Sequence, residues 1–303
     1  MEGISRTRAA LLITFLVIMW GVNWPLTKIA LQYTPPILFA GIRTVLGGLL
    51  LLIVAIPRRH LLRFKQTWHI YVISSLLNIV LYYGLQTVGL KYLPAGLFSV
   101  IVFLQPVLLG ILSWAWLGES MYGLKVAGLV LGFAGVAVIS GGSLSGHLSV
   151  VGVLLALGSA VAWALGTAYV KKTSETVDSI WLVTVQLIIG GLAMTALGSG
   201  VESWSSIVWN VPFISILAFI AVFVIAAGWL VFFILIGSGE ASKVASYTFL
   251  IPLISILIGT IFLHEPFTMY LLAGLVLIVV SIYFVNRPRK MSSLYDPQVE
   301  SSL

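Results

Sequence analysis

Two stretches of this chain repeat one another at a near-constant spacing, so any fold it adopts must hold the same unit twice. Trp20 to Lys28 (WGVNWPLTK) aligns with Trp163 to Lys171 (WALGTAYVK) at an offset of 143, and the same offset sets Gly47-Gly48 on Gly190-Gly191. Further along the offset becomes 146: Pro106 falls on Pro252, Glu119 on Glu265 and Gly128 on Gly274. A run of matches covering both halves means one structural unit built twice.

The medium in which that unit folds follows from composition. Of 303 residues, 60% are hydrophobic and 8% charged, against about 25% charged in a soluble domain. The mean hydropathy is +1.13. About 20 apolar residues span a bilayer as helix, and ten segments qualify: 9–31, 36–56, 68–90, 94–117, 123–140, 150–170, 179–199, 211–236, 241–263 and 268–286. Short connectors carrying Pro35-Pro36, Pro57, Pro94, Gly141-Gly142, Pro212, Gly237-Ser238-Gly239 and Pro266 separate them. The expected organisation is a cytoplasmic N-terminus at 1–8, a five-helix repeat at 9–140, a second at 150–286, and a polar tail without periodicity at 287–303. Arg6 and Arg8 before an apolar run imitate a signal peptide, but the run continues past Leu16 without a small-residue cleavage site, so it reads as a retained first helix.

Charge sets the orientation. With the N-terminus inside, the cytoplasmic ends hold Arg6, Arg8, Arg58, Arg59, Arg63, Lys65, Lys125, Lys171, Lys172, Lys243, Arg287, Arg289 and Lys290, which is 13 of the 16 basic residues. That bias places both termini in the cytoplasm. A repeat with an odd number of spans enters the membrane in opposite senses in its two copies. The fold class expected is therefore an all-α membrane protein, ten transmembrane helices as two inverted five-helix repeats.

The same features exclude other classes. A net charge of +7 is spread over helix flanks rather than gathered on a face, so no nucleic-acid partner is expected. There is no cysteine, no HExxH and no GxSxG, so neither thiol chemistry nor a metal or nucleophile site is expected, and no cofactor. Neither a ring of charges nor a filter motif marks a pore. The partners expected are the lipid bilayer and a small-molecule substrate, and a homodimer is compatible with this plan.

Polar side chains in mid-membrane are costly unless they face a cavity or a partner. Asn78, Tyr82 and Gln86 recur every four residues on one helical face, which suits either a cavity wall for a polar or zwitterionic solute or interhelical hydrogen bonding. In the first segment Trp20, Asn23 and Thr27 share a face with Trp24 beside it. Ser159, Trp163 and Thr167 answer at spacing four in the sixth. Trp163 is the repeat mate of Trp20, so an aromatic pair flanking the pseudo-axis would suit an apolar or aromatic side chain, or a cation by its charge. Trp229 and Phe233 lie a turn apart. Ser99 and Gln105 precede Pro106, as Ser246, Tyr247 and Thr248 precede Pro252; each proline frees a carbonyl and bends its helix, either as a static kink or as a hinge. The candidate substrate-binding set is Trp20, Asn23, Asn78, Tyr82, Gln86, Ser99, Trp163, Thr167, Trp229 and Tyr247. Arg43, with repeat mate Gln186, is the one basic residue placed inside a segment rather than at an end; snorkelling to the outer face, helix packing and contact with a substrate carboxylate all remain open for it. Glu119 and Glu265 open the fifth and tenth helices and Glu240 the ninth, where an acid suits the helix dipole. No Asp or Glu falls in mid-membrane and His60, His69, His147 and His264 lie near segment ends, so no proton relay is evident and a facilitator is as well supported as a proton exchanger.

The chain resembles the EamA-like branch of the drug/metabolite transporter superfamily. The resemblance rests on WGVNWPLTKIAL, FAGIRTVLGGLLLL, AGLFSVIVFLQPVLLGILSWAWLGES and GLKVAGLVLGFAGVAVI, repeated in the second half as GVLLALGSAVAWALGTAYVKK, ASKVASYTFLIPLISILIGTIFLHEP and LLAGLVLIVVSIYF. It covers about residues 10–286 and implies a central cavity lined by helices one, three, four, six, eight and nine, with five and ten peripheral. It further implies a secondary transporter of the bacterial cytoplasmic (inner) membrane, working by alternating access on small metabolites, amino acids first, often outward. A nucleotide-sugar or phosphate-ester exchanger, which would need several cavity cations, and a drug efflux carrier are the alternatives.

Overall fold

The computed structural model describes residues 5–89, 91–93, 98, 101–141, 149–263 and 269–287. Their regular secondary structure is all helical, with no strand among them. In chain order α1 is Arg6–Ala30, α2 Pro36–Ala55, α3 Phe64–Gly89, α4 Gln105–Leu117 and α5 Gly123–Gly141. Then come α6, Val150–Thr173; α7, Ser179–Val201; and α8, Val211–Ser238. α9 runs from Ala241–Ser246 through a 3₁₀ turn at Tyr247–Phe249 into Leu250–Leu263, and α10 is Met269–Asn286. α1, α2 with its 3₁₀ extension, α3, α6, α7 and α8 are long and apolar enough to cross a membrane; α4, α5, α9 and α10 contribute shorter apolar stretches. Leucine, isoleucine and valine side chains such as Leu11, Ile53, Leu154 and Val211 are exposed on the outer surface, as a lipid-facing bundle requires.

Several helix starts are local. Ser5 Oγ accepts from Arg8 N, Ser149 Oγ from Gly152 N, Asp178 Oδ1 from Ile180 N and Trp181 N, and Asn210 Oδ1 from Phe213 N. Two starts are capped from far away in sequence. The Glu202 carboxylate, just past α7, accepts from Ile37 N (3.1 Å) and Leu38 N (2.8 Å) at the start of α2. Glu119 Oε1 accepts from Ala241 N (2.6 Å) and Oε2 from Ser242 Oγ at the start of α9. Glu119 therefore caps α9 and not α5, which it precedes in sequence. Glu240 precedes α9 but bonds Lys125 and Lys243 instead of that helix's backbone. Glu265 lies outside the described residues.

Helix packing follows the repeat. α2 packs along α7, and α5 along α10. α1 meets α9 and α8, while their sequence mates pair likewise, α6 with α4 and α3; α2 also meets α8, as α7 meets α3. Glycines allow the closest approaches. A Cβ on Gly47 would lie 2.6 Å from Ile225 Cγ2, and one on its mate Gly190 would lie 2.6 Å from Ile79 Cβ; Ile79 and Ile225 are themselves 146 apart. Gly48 meets Ile188 while Gly191 meets Val45, again mates. Gly198 meets Leu38 at the other end of the same pair, so α2 and α7 run antiparallel. In α5 and α10, Gly128 abuts Ser281 and Gly135 abuts Gly274, also antiparallel.

The irregular turns recur as well. α3 has a π-turn at Leu76–Leu81 and α8 one at Ile220–Ala227. The turn at 103–104 before Gln105 sits where the 3₁₀ turn Tyr247–Phe249 sits in α9, each ahead of its proline, Pro106 or Pro252. Connectors sort to two ends. Arg58 pairs with Asp178 (3.5 Å), Tyr122 Oη donates to Arg287 O and Lys171 Nζ to Gly237 O at one end. Val208 N donates to Tyr33 O (2.8 Å) at the other.

Candidate functional site

An aromatic cluster fills the middle of the bundle. Trp20 from α1 touches Trp163 from α6 edge to face at 5.7 Å between ring centroids, and Trp229 from α8 at the same distance. Tyr82 from α3 lies against Trp163 at 5.1 Å, and Phe232 lies 5.1 Å from Trp20. Edge-on and tilted contacts of this kind satisfy the ring quadrupoles. Between the rings lies a cavity of about 20 Å³, lined by Trp20, Asn23, Trp24, Tyr82, Tyr83, Phe103, Trp163, Val224, Trp229 and Ile251. That is room for about one water, so the aromatic rings are closed upon one another. The lining comes from α1, α3, α6, α8, α9 and the turn before α4, with α5 and α10 outside it, which agrees with the helix set the resemblance implies.

Of the candidate residues, Trp20, Asn23, Tyr82, Trp163 and Trp229 converge on this cavity. Asn78, Gln86 and Thr167 are buried among helices instead. Asn78 Nδ2 donates to Ser74 Oγ (3.3 Å), and its side chain fills the space left by Gly166 of α6. Tyr247 lies on the 3₁₀ turn of α9 in a different hollow, described below. Ser99 lies outside the described residues. The residues unforeseen are Tyr83, Phe103, Val224 and Ile251. The π-turn at Leu76–Leu81 accounts for Tyr83: the extra residue breaks the four-residue stripe, separates Asn78 from the cavity face and brings both tyrosines onto it. Periodicity alone carries no signal for that.

Polar contacts define the cavity's edges. Trp20 Nε1 donates to Val224 O within the α8 π-turn (3.1 Å), an approach possible because residue 228 is glycine: a Cβ there would lie 2.4 Å from the indole nitrogen. The equivalent position in α3 is Tyr82. Glycine in α8 and tyrosine in α3 thus follow the two π-turns at the equivalent position. Trp229 Nε1 donates to Tyr83 Oη (2.9 Å), and Ser159 Oγ to Tyr82 O (3.1 Å). Trp163 Nε1 has no partner among the described residues. On the far side of Tyr83 lies Arg43, 1% exposed, its guanidinium 4.6 Å from the Tyr83 ring centroid and 5.0 Å from that of Phe39. It does not snorkel.

At the end carrying Lys171, Lys172 and Lys243, two adjoining hollows of about 600 Å³ each share Leu117, Lys171, Glu175, Gly237 and Ser238; Tyr247 and Glu240 line one of them. Beside it the Lys125 side chain is wholly buried, its Nζ donating to Glu119 Oε2 (3.2 Å), Glu240 Oε2 (3.0 Å) and Ser120 O (3.2 Å). Lys125 is thus no solvated flank but the centre of an ion-pair cluster. Burial pushes the Glu240 carboxyl upward, and the hydrogen bonds and charges of Lys243 and Lys125 outweigh it, leaving the group below its ordinary range.

The EamA-like transporter family matches this sequence twice, over residues 7–141 and 150–287. An uncharacterized transporter, YvbV, of Bacillus subtilis is 68% identical over 96% of this chain and 95% of its own. A protein of Escherichia coli named "Probable amino-acid metabolite efflux pump" is 28% identical over 88% of this chain and 91% of its own. In three dimensions the chain is similar to a protein of known crystal structure with a TM-score of 0.81, 19% identity, and coverage of 93% of this chain and 97% of the other, a likeness of fold.

Proposed function

The chain belongs to the EamA-like transporter family, and from that premise we propose that it is a secondary transporter moving small metabolites, amino acids first among them, outward across the bacterial cytoplasmic membrane by alternating access. Its spans are then ten, in two inverted repeats at 9–140 and 150–286 related by a two-fold axis in the membrane plane. The antiparallel packing of sequence mates, α2 on α7 and α5 on α10, supports this, because an axis perpendicular to the helices reverses one copy against the other. The surplus of Lys and Arg at the end bearing Arg58, Lys171 and Arg287 supports a cytoplasmic position for that end and for both termini. On this reading the hollows near Lys171 form a cytoplasmic vestibule and the aromatic cavity is the transport site.

One observation carries the site: repeat mates Trp20 and Trp163 touch at the junction of the halves, around a cavity with unpartnered donors and no carboxylate. Amino acids as cargo draw on the name of the Escherichia coli relative. The carrier has no chemical step to perform; its task is to bind and to expose its cavity to each side in turn. In proteoliposomes the protein is expected to show saturable flux stimulated by counter-substrate. Trp163→Ala and Tyr82→Ala should each lower that flux at least tenfold while the thermal transition persists. Wild-type rates in both variants would remove the aromatic cavity from consideration.

A further inference from the structure

The cavity's polar wall ends in a hydrogen-bond chain that starts at a donor-only group. Arg43 is donor-only, and its NH1 donates to Thr27 Oγ1 (3.3 Å). Thr27 Oγ1, accepting from the guanidinium, donates in turn to Asn23 Oδ1 (3.2 Å). The Asn23 amide oxygen accepts that bond, which leaves the Nδ2 amide N–H groups as the donors at the other corner of the carboxamide. Asn23 lines the cavity, and Nδ2 donates to no atom among the described residues. In the opposite amide orientation Thr27 Oγ1 would accept from both Arg43 and Asn23 and its own hydroxyl proton would lose this acceptor, so the orientation seen satisfies one more donor. The chain therefore delivers donors, polarised by a full positive charge, to the cavity wall.

The charge behind it has no counter-ion. Among the described residues no carboxylate pairs with Arg43, which rests on two aromatic faces and one hydroxyl with its Nε unpartnered. The repeat position by itself does not call for that charge. The equivalent residue of the second half, Gln186, is also wholly buried and is neutral, its Oε1 accepting from Ser74 Oγ. A buried cation without a counter-ion is costly, and an anion arriving in the cavity would relieve it.

We propose that the Asn23 carboxamide, at the end of the Arg43–Thr27–Asn23 chain, is the docking point for a substrate carboxylate, with Arg43 as the positioning residue and counter-charge. This rests on the central cavity being the transport site. The ligand class is a monocarboxylate whose apolar body lies on the Trp20, Trp163 and Trp229 rings, entering carboxylate-first toward α1 and α2.

The test is calorimetric titration of the purified full-length protein with matched pairs, L-phenylalanine against L-phenylalaninamide and L-leucine against L-leucinamide. The wild type is expected to bind the acid of at least one pair tenfold or more tighter than its amide. Arg43→Gln and Asn23→Ala should lose that preference while still binding the amide, which shows that they remain folded. Arg43→Lys, keeping the charge, should restore part of it. A purely structural Arg43 would weaken acid and amide alike in Arg43→Gln, and that result overturns the assignment. Equal binding of acid and amide to the wild type, or no binding of either member in any pair, overturns it too. The transport-site reading is judged separately, by the flux of Trp163→Ala and Tyr82→Ala.

Discussion

Lys125 has no exposed side-chain surface, yet three oxygens from two connectors surround its Nζ. Removing one of them leaves a buried charge undersatisfied, which costs far more than losing a surface pair. Glu119 has the larger share of this burden, because the same carboxylate caps α9 through Ala241 N and Ser242 Oγ. Glu119→Gln should lower stability by about 1–3 kcal/mol, read as a fall in the thermal midpoint, and more than Glu240→Gln does. An equal or smaller fall would show that the cap contributes nothing. Glu240 adds a pH signature. Its carboxyl lies below the ordinary range when folded, so the unfolded chain holds the proton more tightly. The stability it contributes is present above the unfolded value, about 4.3, and is lost as pH falls through the folded one. The midpoint difference between wild type and Glu240→Gln should accordingly be full at neutral pH and vanish in acid. These roles were only half visible in sequence: an acid near a helix start suggests a cap, but which helix it caps depends on what the fold brings beside it.

Between elements, the glycine contacts make a sharper prediction. A Cβ on Gly191 would lie 2.7 Å from the backbone nitrogen of Val45 and cannot be accommodated by a side-chain rotation. Gly191→Ala should therefore separate α2 from α7 and cost about 1–3 kcal/mol. Gly200, in the same helix with open space around its Cα, should tolerate alanine or gain about 0.5–1 kcal/mol from helix propensity. Thermal melts of the two variants in one detergent decide it; equal effects would mean the crossing is not as tight as these distances imply. Glycine content alone could not separate these two positions. Both are glycines of α7, and the neighbouring helix is what distinguishes their surroundings. The π-turns in α3 and α8 were similarly illegible, since Leu76–Leu81 and Ile220–Ala227 carry no breaker residue.

For the whole molecule, the proposed topology predicts which face each connector meets. The chain has no cysteine, so single introduced thiols report without background. Thr176→Cys, between α6 and α7, should react with a membrane-impermeant maleimide only after cells are permeabilised, and Ser205→Cys, between α7 and α8, should react in intact cells. Labelling of both from one side would end the inverted arrangement. Much of this plan is local information. Apolar length and the repeat offsets are written residue by residue, and hydrophobic burial along a helix needs no partner to be recognised, so the apolar helical character and the convergence of Trp20 on Trp163 could be read from the chain alone. The tertiary structure settled the rest: that Tyr83 joins Tyr82 at the cavity while Asn78 turns away, that Arg43 is buried against aromatic faces, and that Lys125 gathers Glu119 and Glu240 around it. Each of those is a relation between side chains on different helices, or a shift of helical phase, and neither periodicity nor composition encodes the distance across an interface.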